Sequence, residues 1–290
     1  MSSNNRDHEY DGPEEHEPGA SRPSGHRAVR QGILRRVTRL ITDHRRVRRI
    51  DSEPLRQDLV SGGHTVSYLR HLVRGNEIKN KRFPDQISDR HPPVLLIHGF
   101  LGTRGSMFVI EQRLQRDGFA VISFNLGVLN VRDIRASALL IHRKVEQIIK
   151  QSGVHRIDIV GHSMGGLIGL YYIKHLGGES RVRRMVMLGT PARGTWAALL
   201  GVATMGLFSA SSWQLLPGSN FLQELHDGPL PHGVEFFTIS AERDWLCPPS
   251  ATQLEGAHAI SVPLGHSSLV MSEAVYRKVL WALRKDDAPR

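Results

Sequence analysis

From Pro93 onward the chain alternates short, unbroken apolar runs with longer stretches in which apolar residues return every three or four positions. The runs at 94–97, 120–124, 157–160, 185–188, 235–239 and 259–262 predict strands buried in a parallel sheet. The stretches at 105–116, 134–151, 165–175 and 268–283 predict helices with one apolar face. Such alternation implies an α/β fold, a doubly wound and mostly parallel sheet whose ligand site lies at the carboxyl ends of the strands.

Ahead of this region the pattern changes twice. Residues 1–26 show no apolar period and several Gly and Pro residues, which predicts a disordered tail. Residues 27–50 place Val29, Ile33, Leu34, Val37, Leu40, Ile41 and Val47 at largely helical spacing among nine arginines, a basic amphipathic segment. A connecting segment, 51–93, holds a predicted helix near 54–73 and suggests no function. The ordered domain is expected to be 94–290, with an apolar insertion at 192–231 that reads either as a cap or lid or as ordinary helices packed on the sheet.

Composition narrows the class. With 290 residues and 40% hydrophobic content, the chain can bury one large core without staples. Cys247 is the single cysteine, so no intrachain disulfide can form. The start of the chain lacks a basic stretch followed by an apolar run, and no stretch reaches roughly 18 uninterrupted apolar residues, the minimum for a spanning helix. A cytoplasmic protein is expected, with peripheral membrane contact open to it. Of the net charge of +10, the 27–50 segment alone contributes +8, nine arginines against Asp43. Its arginines suit solvent or an anionic lipid surface. Nucleic acid is disfavoured, because no aromatic residues are interleaved for stacking. Nothing in the pattern assigns an oligomeric state.

The chemistry centres on Gly161-His162-Ser163-Met164-Gly165-Gly166, a G-x-S-x-G pattern directly after one apolar run and directly before a helical one. A serine on such a tight strand-to-helix turn needs small residues two positions away on either side, because backbone segments crowd there. The turn also sets the serine at a helix amino terminus, which favours developing negative charge.

With these residues the sequence resembles the α/β-hydrolase superfamily, and within it bacterial lipases and esterases that carry G-H-S-M-G. Four pieces match in order: IHGFLGT (97–103), GHSMGG (161–166), LGTPARGT (188–195), and an acidic loop followed by GHSSL (265–269). The resemblance implies Ser163 as nucleophile and the backbone N–H groups of Phe100 and Met164 as oxyanion-hole donors. His98 is expected to brace its loop. The chain order nucleophile, acid, histidine selects His266, in a Gly-flanked loop after the last strand, with His232 and His258 as alternatives. Asp244 is the expected acid, matching the family position although Leu246-Cys247-Pro248 stands where many relatives have Val before Pro. Glu242 is expected to be a solvated loop charge, and Cys247 a packing residue.

The resemblance therefore implies a serine hydrolase acting on carboxylic esters, of acyl or lipid type given the apolar insertion, and requiring no metal or organic cofactor. The same residues would serve an acyltransferase. A non-catalytic adaptor using the basic arm is the reading from another class.

Overall fold

The structure, a computed structural model, describes residues 52–74, 92–123, 125–127, 130–205 and 209–285. The expected tail at 1–26 and basic segment at 27–50 lie outside these residues. The first described element is a helix, α1 (Ser52–Arg74).

Six strands follow: β1 (Val94–Ile97), β2 (Val121–Ser123), β3 (Ile157–His162), β4 (Val182–Leu188), β5 (Glu235–Ala241) and β6 (His258–Val262). All neighbours pair in parallel, in the order β2-β1-β3-β4-β5-β6. The chain reverses its direction of travel across the sheet between β1 and β3, so a crevice opens there beyond the strand ends. Parallel strands covered on both faces read as apolar runs, which is why they were legible. Alternate residues divide the core. Leu95 and Ile97 face one apolar layer with Ile159 and Met185, while Val94 and Leu96 face the other with Val160 and Val186.

The helices cover both layers. Between α2 (Phe108–Arg116) and α4 (Met164–His175) comes α3 (Ile134–Ser152). The Asp133 side chain caps α3 by accepting from Arg135 N at 2.7 Å, and Gly153 ends it at φ 72°. Its buried residues Ile134, Ala138, Ile141, Val145 and Ile148 repeat at four- and three-residue steps.

Among the described residues, the insertion expected at 192–231 contains three short helices, α5 (Ala198–Met205), α6 (Ala210–Gln214) and α7 (Asn220–His226). Two of them are tied to α3: Ile134 N donates to Gln214 Oε1 at 2.7 Å, and Arg135 pairs with Glu224. Phe221, Leu222 and Leu225 of α7 enter the core. In contrast, Leu199 and Leu200 of α5 are exposed.

The helix expected over 268–283 is broken. Ser272 is extended (φ −73°, ψ 135°), separating α8 (Ser268–Met271) from α9 (Glu273–Arg284) and acting as the N-cap residue of α9. The break lets Leu269 and Val270 pack beneath the site loop while α9 lies along the sheet. The end of α9 is held by two guanidinium groups, buried Arg184 and part-buried Arg183. Arg184 Nη1 donates to Leu283 O at 2.5 Å and Arg183 Nη2 to the same oxygen at 3.2 Å, so a helix-end carbonyl is satisfied.

Backbone crowds closely where α4 meets β1 and β3. A Cβ on Gly165 would lie 2.2 Å from Ile97 O, and one on Gly161 would lie 2.7 Å from Gly166 N. Backbone, not flexible side chain, fills that space. Gly165→Ala is expected to cost on the order of 3 kcal/mol, because β1 and α4 must separate to admit one methyl group. Urea unfolding checks this, and a variant within 0.5 kcal/mol of wild type, roughly the spread of innocuous surface changes, would show that the strand and helix are not so constrained.

Candidate active site

The end of β3 delivers Ser163 into a sharp turn with φ 53° and ψ −127°, a backbone conformation that a serine adopts only under constraint. The constraint is visible on both sides. Ser163 N donates to Leu188 O at 2.8 Å, and a Cβ on Gly99 would meet Ser163 Cβ at 2.9 Å. Met164 follows as the first residue of α4, where the leading N–H groups have no partner within the helix.

Asp244 lies in the turn after β5 and is buried. Its Oδ1 accepts from Leu246 N at 3.0 Å and Cys247 N at 2.8 Å, and its Oδ2 meets His266 Nδ1 at 2.5 Å. A carboxylate only accepts, so Nδ1 of His266 carries a proton, and in the neutral ring this tautomer leaves Nε2 as the acceptor for a hydroxyl. Ser163 and His266 line one cavity of about 340 Å³, together with Phe100, Leu200, Leu215 and Leu246. That volume lies at the small end of ligand sites, roughly 300–1,000 Å³.

The other candidates fall elsewhere. His258 opens β6 beside Lys285 Nζ at 3.1 Å, and His232 is exposed before β5. Neither is paired with Asp244. Glu242 is exposed and accepts from Ser261 Oγ at 3.2 Å. His98 braces the loop after β1: its Nε2 accepts from Leu126 N at 3.3 Å, and its Nδ1 donates to Gly99 O at 3.2 Å. Asn130 Nδ2 bonds the carbonyls of His98 and Gly99, both at 3.2 Å. The loop is further held by a buried set in which Arg104 Nε donates to Ser123 Oγ at 2.7 Å and Ser123 Oγ to Glu111 Oε2 at 2.8 Å.

The model of the alpha/beta hydrolase fold family matches residues 92–214. The mature lipase BlEst2 of Bacillus licheniformis superimposes with a TM-score of 0.60 at 16% identity, covering 69% of this chain and 95% of that one. Lipase B of Aspergillus fumigatus gives 0.57 at 16% identity, over 72% and 56%. This chain has the α/β-hydrolase fold. Among curated proteins it is similar to triacylglycerol lipases of Pseudarthrobacter phenanthrenivorans, 31% identical over 36% of this chain and 34% of that one, and of Pseudomonas fragi, 28% identical over 30% of each. The matched part spans about a third of the length of these relatives.

Three residues of this hydrolase fold enter the cavity without having been expected there. Cys247 is not only packing: it lines the cavity together with Ser163, and burial pushes its thiol up, which keeps the sulfur protonated. Its donor atom and those of Asp244 and His266 lie within 4.8 Å of one another, but a protonated thiol and a hydrogen-bonded acid-histidine pair are poor metal ligands as they stand. His162 is buried between Gly161 and Ser163, its ring 4.8 Å from that of His266. Neither of its ring nitrogens has a hydrogen-bond partner, although the His266 backbone lies close enough to temper the shift. Burial first, and then the nearness of His266, hold His162 neutral well below the ordinary histidine range. The third, Tyr68, comes from α1. Only the position of His162 beside the serine was a usable signal, since Tyr68 and Cys247 reach the site through tertiary contacts.

Burial also lowers His98 to about 4. The unfolded ring takes a proton below about pH 6.5, whereas the folded ring stays neutral until about pH 4. The stabilisation from the neutral ring is whole above pH 6.5 and is lost as pH falls toward 4, by about 3 kcal/mol. Urea unfolding across this window is expected to show a shallower pH slope for His98→Asn than for wild type, with His162 leaving a residual slope of the same sign. Parallel slopes would mean that His98 is not buried and neutral.

Proposed function

We propose that this chain is a serine hydrolase that cleaves carboxylic esters of acyl or lipid type. The observation that carries the reading is the 2.5 Å contact between His266 Nδ1 and buried Asp244, in the same cavity as Ser163. Ester hydrolysis also agrees with the lipase names of the relatives and solved structures above.

In this mechanism His266 Nε2 takes the Ser163 proton as Oγ attacks the ester carbonyl carbon. The carbonyl oxygen becomes an oxyanion that the N–H groups of Phe100 and Met164 receive, Met164 with the added field of the α4 amino terminus. The tetrahedral species collapses, His266 gives its proton to the departing alkoxide, and an acyl group remains on Ser163. Water then repeats the sequence with the same histidine, releasing the acid. Asp244 stays ionised and stabilises the imidazolium that forms in each half-reaction.

The lining favours an apolar acyl group. Phe100, Leu200, Leu215 and Leu246 surround the serine, and exposed Leu199 and Trp196 stand at and just before the start of α5. A panel of esters of graded chain length, presented as solutions and as emulsions, tests the reading. Ser163→Ala and His266→Ala are each expected to lower kcat by about 10⁶-fold, and Asp244→Ala by about 10⁴-fold. Glu242→Ala is expected to leave it within twofold of wild type, roughly the effect of a surface change. A Ser163→Ala variant as active as wild type, or a wild type that a fluorophosphonate does not label, ends this proposal.

A further inference from the structure

The helix α1 stands outside the region matched by the family model, which begins at residue 92, yet it touches both loops that build the site. On one side, Thr65 Oγ1 lies 2.7 Å from Ser267 Oγ and His64 Nδ1 lies 3.0 Å from Ser268 Oγ. Those two serines directly follow His266. On the other side, Thr103 Oγ1 donates to Leu72 O at 2.9 Å, Thr103 belonging to the segment after β1 that carries Phe100. Between these anchors the Tyr68 ring lines the cavity and meets the His162 ring edge-on at 6.0 Å.

We propose that α1 is a working part of the ester site: Thr65 and His64 are positioning residues for the His266 loop, and Tyr68 is a wall that limits the acyl group. The inference rests on the reading of Ser163 and His266 given above. The physical case is one of alignment. His266 sits on a loop after the last strand, where Gly265 gives the backbone freedom, and a loop is a poor holder of geometry unless neighbours pin it. Asp244 fixes the ring from within, at Nδ1 alone. Ring rotation about that contact and drift of the loop are opposed by the serines on α8 side of the ring, which α1 grips. Tyr68 acts through a different route. Its ring lines the cavity against the His162 ring, on a helix tied to the loops on both sides, so a longer acyl chain runs into it.

The test uses the full chain with Thr65→Val and His64→Leu combined, Thr65→Ser alone, and Tyr68→Ala. Two readouts are taken: the rate of fluorophosphonate labelling of Ser163, which needs the serine and its base but no particular acyl group, and kcat and KM on the ester panel. The double variant is expected to lose about tenfold in labelling rate and in kcat, with KM and the thermal midpoint close to wild type. Thr65→Ser, which keeps the hydroxyl, is expected to match wild type. Tyr68→Ala is expected to shift the preference toward longer acyl chains. If wild type is labelled and the double variant is labelled as fast, α1 does not position the base. Loss of activity in step with a fall in thermal midpoint would assign it a structural role only, and an unchanged chain-length preference in Tyr68→Ala would remove the wall. A wild type that is not labelled would overturn the reading of Ser163 and this inference together.

Discussion

Backbone crowding at the carboxyl end of β3 governs the rest of the molecule. Ser163 is held at φ 53°, a conformation that costs roughly 1–3 kcal/mol and persists only where the surroundings over-determine it. Here β1 presses on Gly165 through Ile97 O, Gly99 lies against the serine Cβ, and β4 accepts the serine N–H through Leu188 O. None of the three could be relaxed without moving a strand of the central sheet. The strain is therefore distributed over the most buried part of the fold, whose two apolar layers hold β1, β3 and β4 in register.

The same crowding shapes the electrostatics. Three histidine rings lie along this end of the sheet, His98, His162 and His266, and only His266 meets a carboxylate. His98 and His162 are driven neutral chiefly by burial. A proton arriving at His266 thus meets no competing cation from its neighbours, and the Asp244 charge acts on one ring. The thiol of Cys247, kept protonated by burial, lines the cavity of Ser163 without adding charge.

Much of this was legible along the chain. The central strands β1, β3, β4 and β5 follow from apolar runs because a parallel sheet buries both their faces, and the helix expected over 134–151 is α3, Ile134–Ser152. Ser163 and His266 were expected from a Gly-flanked turn and from chain order, and Asp244 from the family resemblance; the structure brings Asp244 into contact with His266, and His266 into one cavity with Ser163. The Ser272 break was hidden, since Leu269, Tyr276, Leu280 and Leu283 keep a helical period across it while the backbone does not. The nearness of Cys247 and Tyr68 to the serine was hidden for another reason. Neither carries a local signature, and Tyr68 belongs to a segment from which no function had been read.

What the sequence by itself determined is the local chemistry: where apolar runs must be buried, where a serine needs glycine neighbours, and which histidine follows the last strand. These depend on interactions within a few residues, or on burial, which a residue's own side chain announces. The tertiary structure alone decided which distant groups share the cavity. The contacts of Thr65 with Ser267 and His64 with Ser268 span about two hundred residues. Whether such polar pairs meet depends on how α1 docks against the loops beside the site, and an amphipathic pattern states that a helix has a buried face without stating what that face will touch.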